Sequence, residues 1–291
     1  MSKKKLNIIS TVFLIILLLA GLSVMLYPII SDWWNSKVQS RAVASYDKTV
    51  AELDDGETER IIEEARAYNK RLLTLDTPFS QYDMIEGYSD ILDISGTGIM
   101  GYITIPVIQC ELPIYHGTSD EVLNIASGHL EGSALPVGGE DTHTVISAHR
   151  GLPSAKLFSD LDKLVVGDNF TITVLDEILT YEVEKILIVE PHEIDKLAVI
   201  PNKDYVTLMT CTPYGINTHR LLIRAKRVET VYKLNVKVTA DAVQVDPMLV
   251  VPIISAPLLI ALICFWIFGG RKKNESVENM VYDIGSEKDG E

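Results

Sequence analysis

A thiol, an imidazole and a guanidinium stand in two short segments of this 291-residue chain. Together they are what cysteine-based acyl transfer requires: nucleophile, proton carrier and oxyanion stabiliser. Cys211 closes the strand-like run Val206-Thr207-Leu208-Met209-Thr210, Arg220 follows nine residues later, and His149 lies in Ile146-Ser147-Ala148-His149-Arg150-Gly151. A cysteine with a free pKa of about 8.5 is only partly thiolate at neutral pH, so a neighbouring base or cation is needed to activate it. A histidine titrates in the working range and can carry a proton in either direction. An arginine stays charged and presents its donors in a fixed fork. Side chains alternate along a strand, so His219 and Arg220 point to opposite faces and do not readily share one site.

The apolar residues mark where the scaffold for these groups begins and ends. Residues 6–30 carry no charge and are long enough, at about 1.5 Å per residue, to cross a hydrocarbon core of about 30 Å. A second uncharged run at 248–270 is long enough too. Lys3, Lys4 and Lys5 precede the first run and Arg271, Lys272 and Lys273 follow the second, so both termini are expected in the cytoplasm. Residues 1–5 and the polar tail 271–291 then lie inside, and residues 31–247 outside a cell membrane crossed twice. Ala42-Val43-Ala44 resembles a signal cleavage site, but the apolar run exceeds the roughly 7–15 residues of a signal h-region and ends more than ten residues earlier. An uncleaved anchor is expected, with Trp33 and Trp34 at the interface.

The outer segment is acidic. Six of the 40 acids lie in the tail and seven of the 26 bases lie outside the two runs, which leaves 34 acids against 19 bases between them. Such a surface disfavours nucleic acid. Three cysteines cannot form a disulfide framework: Cys264 falls inside the second run, and Cys110 reads as a small buried apolar residue. Cys211 is thus expected as a free thiol outside the cell. His116, His129, His143 and His192 have no ligand partners at metal spacing, so no metal or cofactor is expected.

Between the two runs, residues 31–75 form a polar helical arm, broken near Asp54-Asp55-Gly56 and striped by Ile61, Ile62, Ala65, Tyr68, Leu72 and Leu73. A long loop follows at 76–98. Strand signals fill 99–235: Ile99–Ile105, Val107–Tyr115, Thr142–Ala148, a hairpin of Phe170–Leu175 and Leu179–Val189, then Tyr205–Cys211 and His219–Val228. Short helices fit Ser119–Ile125, Ser154–Leu161 and Glu193–Leu197, and a linker at 236–247 leads to the second run. The fold is therefore mainly β, an antiparallel barrel or sandwich with short helices.

The stretch from Thr207 to Arg220, TLMTCTPYGINTHR, resembles the active-site signature of sortases, and its Thr-Pro-Tyr-Gly-x-Asn-Thr-His-Arg extension looks like the class C, pilin-polymerising branch. His149 in His-Arg-Gly, followed by Leu157-Phe158 and Leu161-Asp162-Lys163-Leu164, is similar to that family's histidine segment. The resemblance implies an eight-stranded β-barrel and a cysteine transpeptidase. Cys211 would attack the Thr–Gly bond of an LPxTG-like sorting signal, His149 would move the protons, and Arg220, rather than His219, would steady the oxyanion. The implied partners are pilin subunits, one of whose lysines resolves the thioacyl-enzyme. Asp76-Thr77-Pro78-Phe79 looks like the lid of class C enzymes, with Thr77 interposed between acid and proline. A carboxylate at Asp76 could then pair with Arg220 while the Phe79 ring covers Cys211. Competing readings are a wall-anchoring sortase, a cysteine protease resolved by water, and a non-catalytic surface scaffold with Cys211 merely buried.

Overall fold

The structure, a computed structural model, describes residues 3–230, with side chains from Ser10 onward. The second apolar run at 248–270, the linker at 236–247, the tail at 271–291 and Cys264 lie outside the described residues. Helix α1 (Lys3–Val50) continues through Ile30 without a break, although Pro28 lies within it. Among the described residues it is the one helix long and apolar enough to cross a membrane.

Residues 30–230 belong to one compact unit, and the first part of α1, to Ile29, belongs to another. Helix α2 (Asp55–Leu72) begins where Asp54 caps it, its carboxylate accepting from the Glu57 amide at 2.8 Å. Acids in the first turn and Lys70 and Arg71 in the last suit the helix dipole. Ile62, Ala65, Tyr68 and Leu72 come to one face by their spacing, and that face joins the main core. The buried Asn69 amide ties α2 down further: it donates to Leu135 O at 3.1 Å and accepts from Leu135 N at 2.7 Å.

Eight strands close a barrel: β1 (Ile99–Ile105), β2 (Cys110–His116), β3 (Ser127–His129), β4 (Thr142–Ser147), β5 (Asn169–Val174), β6 (Glu177–Val189), β7 (Asp204–Thr212) and β8 (His219–Val228). Their order around the wall is β1-β2-β3-β4-β7-β8-β6-β5, with β5 returning to β1. Alternation along each strand fills the interior, where Leu112, Ile103, Ile172 and Leu179 form successive cross-strand pairs on one side and Ile146, Leu208 and Ile223 on the other.

Three sequence expectations need correction. The barrel is not wholly antiparallel, since β2–β3 and β4–β7 pair in parallel. A period-2 apolar pattern is the same for either direction, and strand direction is set by the crossovers. Ser154–Leu161 is not a helix: Ala155, Leu157 and Phe158 are all buried and Leu157 has φ +40, so burial holds it as an irregular loop ahead of a 3-10 turn at Leu161–Lys163. The second strand starts at Cys110 rather than Val107, because Pro106 opens a 3-10 turn that occupies 106–108. Short helices α3 (Pro78–Gln81) and α4 (Asp120–Leu123) complete the elements that bear on the site.

Candidate active site

Four strands, β4, β7, β8 and β6, present a continuous outer face, and the register lays it out in rows. Met209 and Leu222 oppose one another, flanked by Ser147 and Leu187. One step further along β7 on the same face, Cys211 directly opposes Arg220, with Val189 of β6 beside it. Cross-strand partners share a face at about 5 Å between Cβ atoms, so the thiol and guanidinium emerge side by side. His219 opposes Thr212 and therefore faces the other way. Cys211 is partly exposed and is a free thiol.

His149 comes to this row from β4. The parallel register joins Ser147 to Met209; the Ala148 amide then donates to Met209 O at 3.2 Å, and the Thr210 hydroxyl donates to Ala148 O at 2.8 Å. His149 follows two residues after the last paired position, Ser147, where the same register carried on would stand level with Cys211. Cys211 and Arg220 thus meet on paired strands, and the loop that carries His149 leaves the end of β4 beside them. Beyond Cys211 the Thr212–Pro213 peptide is cis, and the loop to Arg220 carries Tyr214. The Tyr214 ring lies 5.7 Å from the Arg150 guanidinium and rests against Gly151, where an added Cβ would come within 3.1 Å of the ring and the φ of +79 favours glycine. Arg150 in turn pairs with Asp162. Sequence patterning does not reveal this bracket between the histidine loop and the cysteine loop, although Arg150 lies within the same short motif as His149.

Of the two residues of the lid-like segment, only Phe79 packs on the outer face. Phe79 packs against an outer apolar cluster of Val145, Val189, Leu197 and Leu222, next to Met209, one row from Cys211 and Arg220. Asp76 forms no ion pair with Arg220; the Arg220 guanidinium instead donates to Asn217 O and His219 O at 3.4 and 3.2 Å. Asp76 lines a cavity of about 410 Å³ with Leu73, Thr77, Phe79, Ile194 and Asp195. Thr77 extends the link between the acid and the ring. Gly132 (φ +84) lies under this segment, and a Cβ there would come within 2.6 Å of Phe79 Cα.

His143, His129 and Cys110 are explained by packing. His143 bonds to Ala198 O at 3.0 Å and to the Thr207 hydroxyl at 2.7 Å. His129 is fully buried between Tyr88 and Ala134, and burial pulls its pKa down to about 4. Burial pushes the Cys110 thiol up to about 12, so it is a poor nucleophile.

Residues 103–228 match the sortase domain family. Sortase C1 from Streptococcus agalactiae, known from a crystal structure, is 47% identical and superposes with a TM-score of 0.60, over 66% of this chain and 100% of that one. Sortase C of Streptococcus pneumoniae is 44% identical with a TM-score of 0.60, over 65% and 97% of the two chains. Sortase A of Streptococcus agalactiae serotype III (strain NEM316) is 29% identical over 135 residues, 45% of this chain. That match spans 54% of the relative, about half its length.

Proposed function

The chain belongs to the class C branch of the sortases, a family of cysteine transpeptidases, and from that premise we propose that it assembles pilins at the outer face of a cell membrane. Cys211 Sγ attacks the carbonyl of the threonine in an LPxTG-like sorting signal. The Thr–Gly bond breaks, the glycine amine leaves with a proton from His149, and a thioester remains on Cys211. A lysine ε-amine of the next pilin subunit, deprotonated through His149, then attacks the thioester. An isopeptide bond forms and the thiol is released. Arg220 steadies the oxyanion at both steps, and the segment from Asp76 to Phe79 covers the groove between turnovers. α1 serves as the membrane anchor, with a second anchor in the run at 248–270.

The observation that carries this reading is the single row on the outer face, with Arg220 directly across from Cys211 and the histidine segment in parallel register on the other side. Fixed donors beside the site of developing charge need no reorganisation during reaction, which is where such sites gain most. Intact-mass measurement on the full chain with an LPxTG-type peptide tests it. Wild type is expected to gain the mass of the acyl fragment, Cys211→Ala none, and added lysine-bearing pilin peptide should discharge the adduct. Absence of any adduct across several motif variants would leave a non-catalytic surface scaffold as the better reading.

A further inference from the structure

His149 belongs to a loop with no regular structure of its own. The loop is closed at its base by the Phe158 amide, which donates to His149 O at 3.1 Å, and by the Gly151 amide, which donates to the Ser159 hydroxyl at 3.1 Å. Its middle is held from another element. The Asn35 amide of α1 donates to Ser154 O at 2.7 Å, and the Asp32 carboxylate accepts from the Lys156 amide at 2.6 Å. Residues three apart share one face of a helix, so the two side chains reach the loop together.

The docking of α1 and the holding of the loop are separable. Further along the helix, Val43 and Tyr46 are buried, and the Tyr46 hydroxyl donates to Met100 O at 3.1 Å and accepts from the Leu175 amide at 2.8 Å. Gln39 donates to Ile125 O at 2.7 Å, on a different segment. Near the loop the helix face is polar, and Asp32, Ser36 and Gln39 border a cavity of about 160 Å³ that also touches Leu157. The contact between α1 and the histidine loop is therefore made by directed hydrogen bonds rather than by apolar packing.

We propose that Asp32 and Asn35 are positioning residues for His149: α1, the helix that carries the apolar run, is also part of the scaffold that aims the proton carrier at Cys211. This rests on His149 acting as that carrier. Without the two bonds the loop would keep its base contacts, the Arg150–Asp162 pair and the burial of Ala155, Leu157 and Phe158 but lose its tie to α1, and a shift of about 1 Å in a catalytic group can cost on the order of a hundredfold in rate.

The test uses the full chain in detergent micelles, with Asp32→Ala, Asn35→Ala and their double variant beside Asp32→Asn, Gln39→Ala and His149→Ala. Three readouts are taken: the kcat and KM of transpeptidation, the pH profile of Cys211 alkylation, and hydrogen exchange of the Lys156 amide. The double variant should lose between about tenfold and a hundredfold in kcat with KM little changed. Its alkylation profile should move toward that of His149→Ala, and the Lys156 amide should exchange faster. Asp32→Asn, which keeps an acceptor oxygen, should restore much of the loss, and Gln39→Ala should move neither profile nor kcat. A wild-type kcat and profile in the double variant, or equal losses in Gln39→Ala, would overturn the proposal. Full activity in His149→Ala would instead strike at the catalytic reading and remove the role with it, whereas unchanged Lys156 exchange would refute the pinning alone.

Discussion

Gly132→Ala is expected to lift the segment from Asp76 to Phe79, proposed above as a lid, away from the groove. An added Cβ would lie 2.6 Å from Phe79 Cα, 2.7 Å from Pro78 O and 2.9 Å from Phe79 N, all backbone atoms that cannot rotate away. Ordinary contact begins at 3.4 Å, so the segment must withdraw by roughly 0.8 Å, enough to loosen Phe79 from the outer apolar cluster. Overpacking of this kind costs about 1–3 kcal/mol, and here it falls on the closed state alone. At 1.4 kcal/mol per factor of ten, the open population rises between about 5-fold and about 150-fold. The left-handed backbone at Gly132 adds about 1 kcal/mol of strain for alanine, but open and closed states share it. The assay is site-resolved alkylation under pseudo-first-order conditions, read by mass at Cys211. Cys110 is an internal monitor, since its thiol is buried and its pKa is raised by that burial, away from the Phe79 segment. Faster labelling at Cys211 with none at Cys110 is the expected result. A Cys211 rate within about twofold of wild type, with a melting temperature lower by about 2–4 °C from strain alone, would refute the gating argument.

Two further outcomes concern stability. His129 is fully buried with its pKa drawn down to about 4 by burial, against an unfolded value of 6.5, so the folded state binds the proton less readily. The stability it contributes is present above pH 6.5 and lost as pH falls toward 4, about 3 kcal/mol in all. Urea midpoints between pH 7 and pH 4 should therefore fall more steeply in wild type than in His129→Gln, and parallel slopes would contradict this. Asn69→Ala would strand the buried amide and carbonyl of Leu135 and should cost about 2–4 kcal/mol. Asn69→Asp should be little better because it cannot donate to Leu135 O, and a melting temperature unchanged in both would show that water replaces the amide.

The information legible in the sequence alone is local. The Asp54 cap and the spacing of Ile62, Ala65, Tyr68 and Leu72 specify α2 because a helix joins residues three and four apart. The β5–β6 hairpin and the strand ending at Cys211 follow from alternation, and the same alternation separates Arg220 from His219, as the pairing of β7 with β8 shows. The convergence of Cys211 with the His149 segment can be expected only through resemblance to a family, because nothing between residues 149 and 211 encodes that β4 and β7 are neighbours.

Tertiary structure decided the rest. The three-residue strand β3 is too short to carry a periodic signal and exists because β2 and β4 offer it partners. Ser154–Leu161 carries apolar residues at spacings a short helix could use, yet the barrel and α1 supply other partners for its side chains and backbone. Charge alone would pair Asp76 with Arg220, but Asp76 and Phe79 line one cavity away from Arg220, and Phe79 alone of the two also packs on the outer apolar cluster. In each case the sequence determined which conformations a segment could adopt, and the contacts that chose among them come from residues tens of positions away, whose proximity exists only once the barrel has closed.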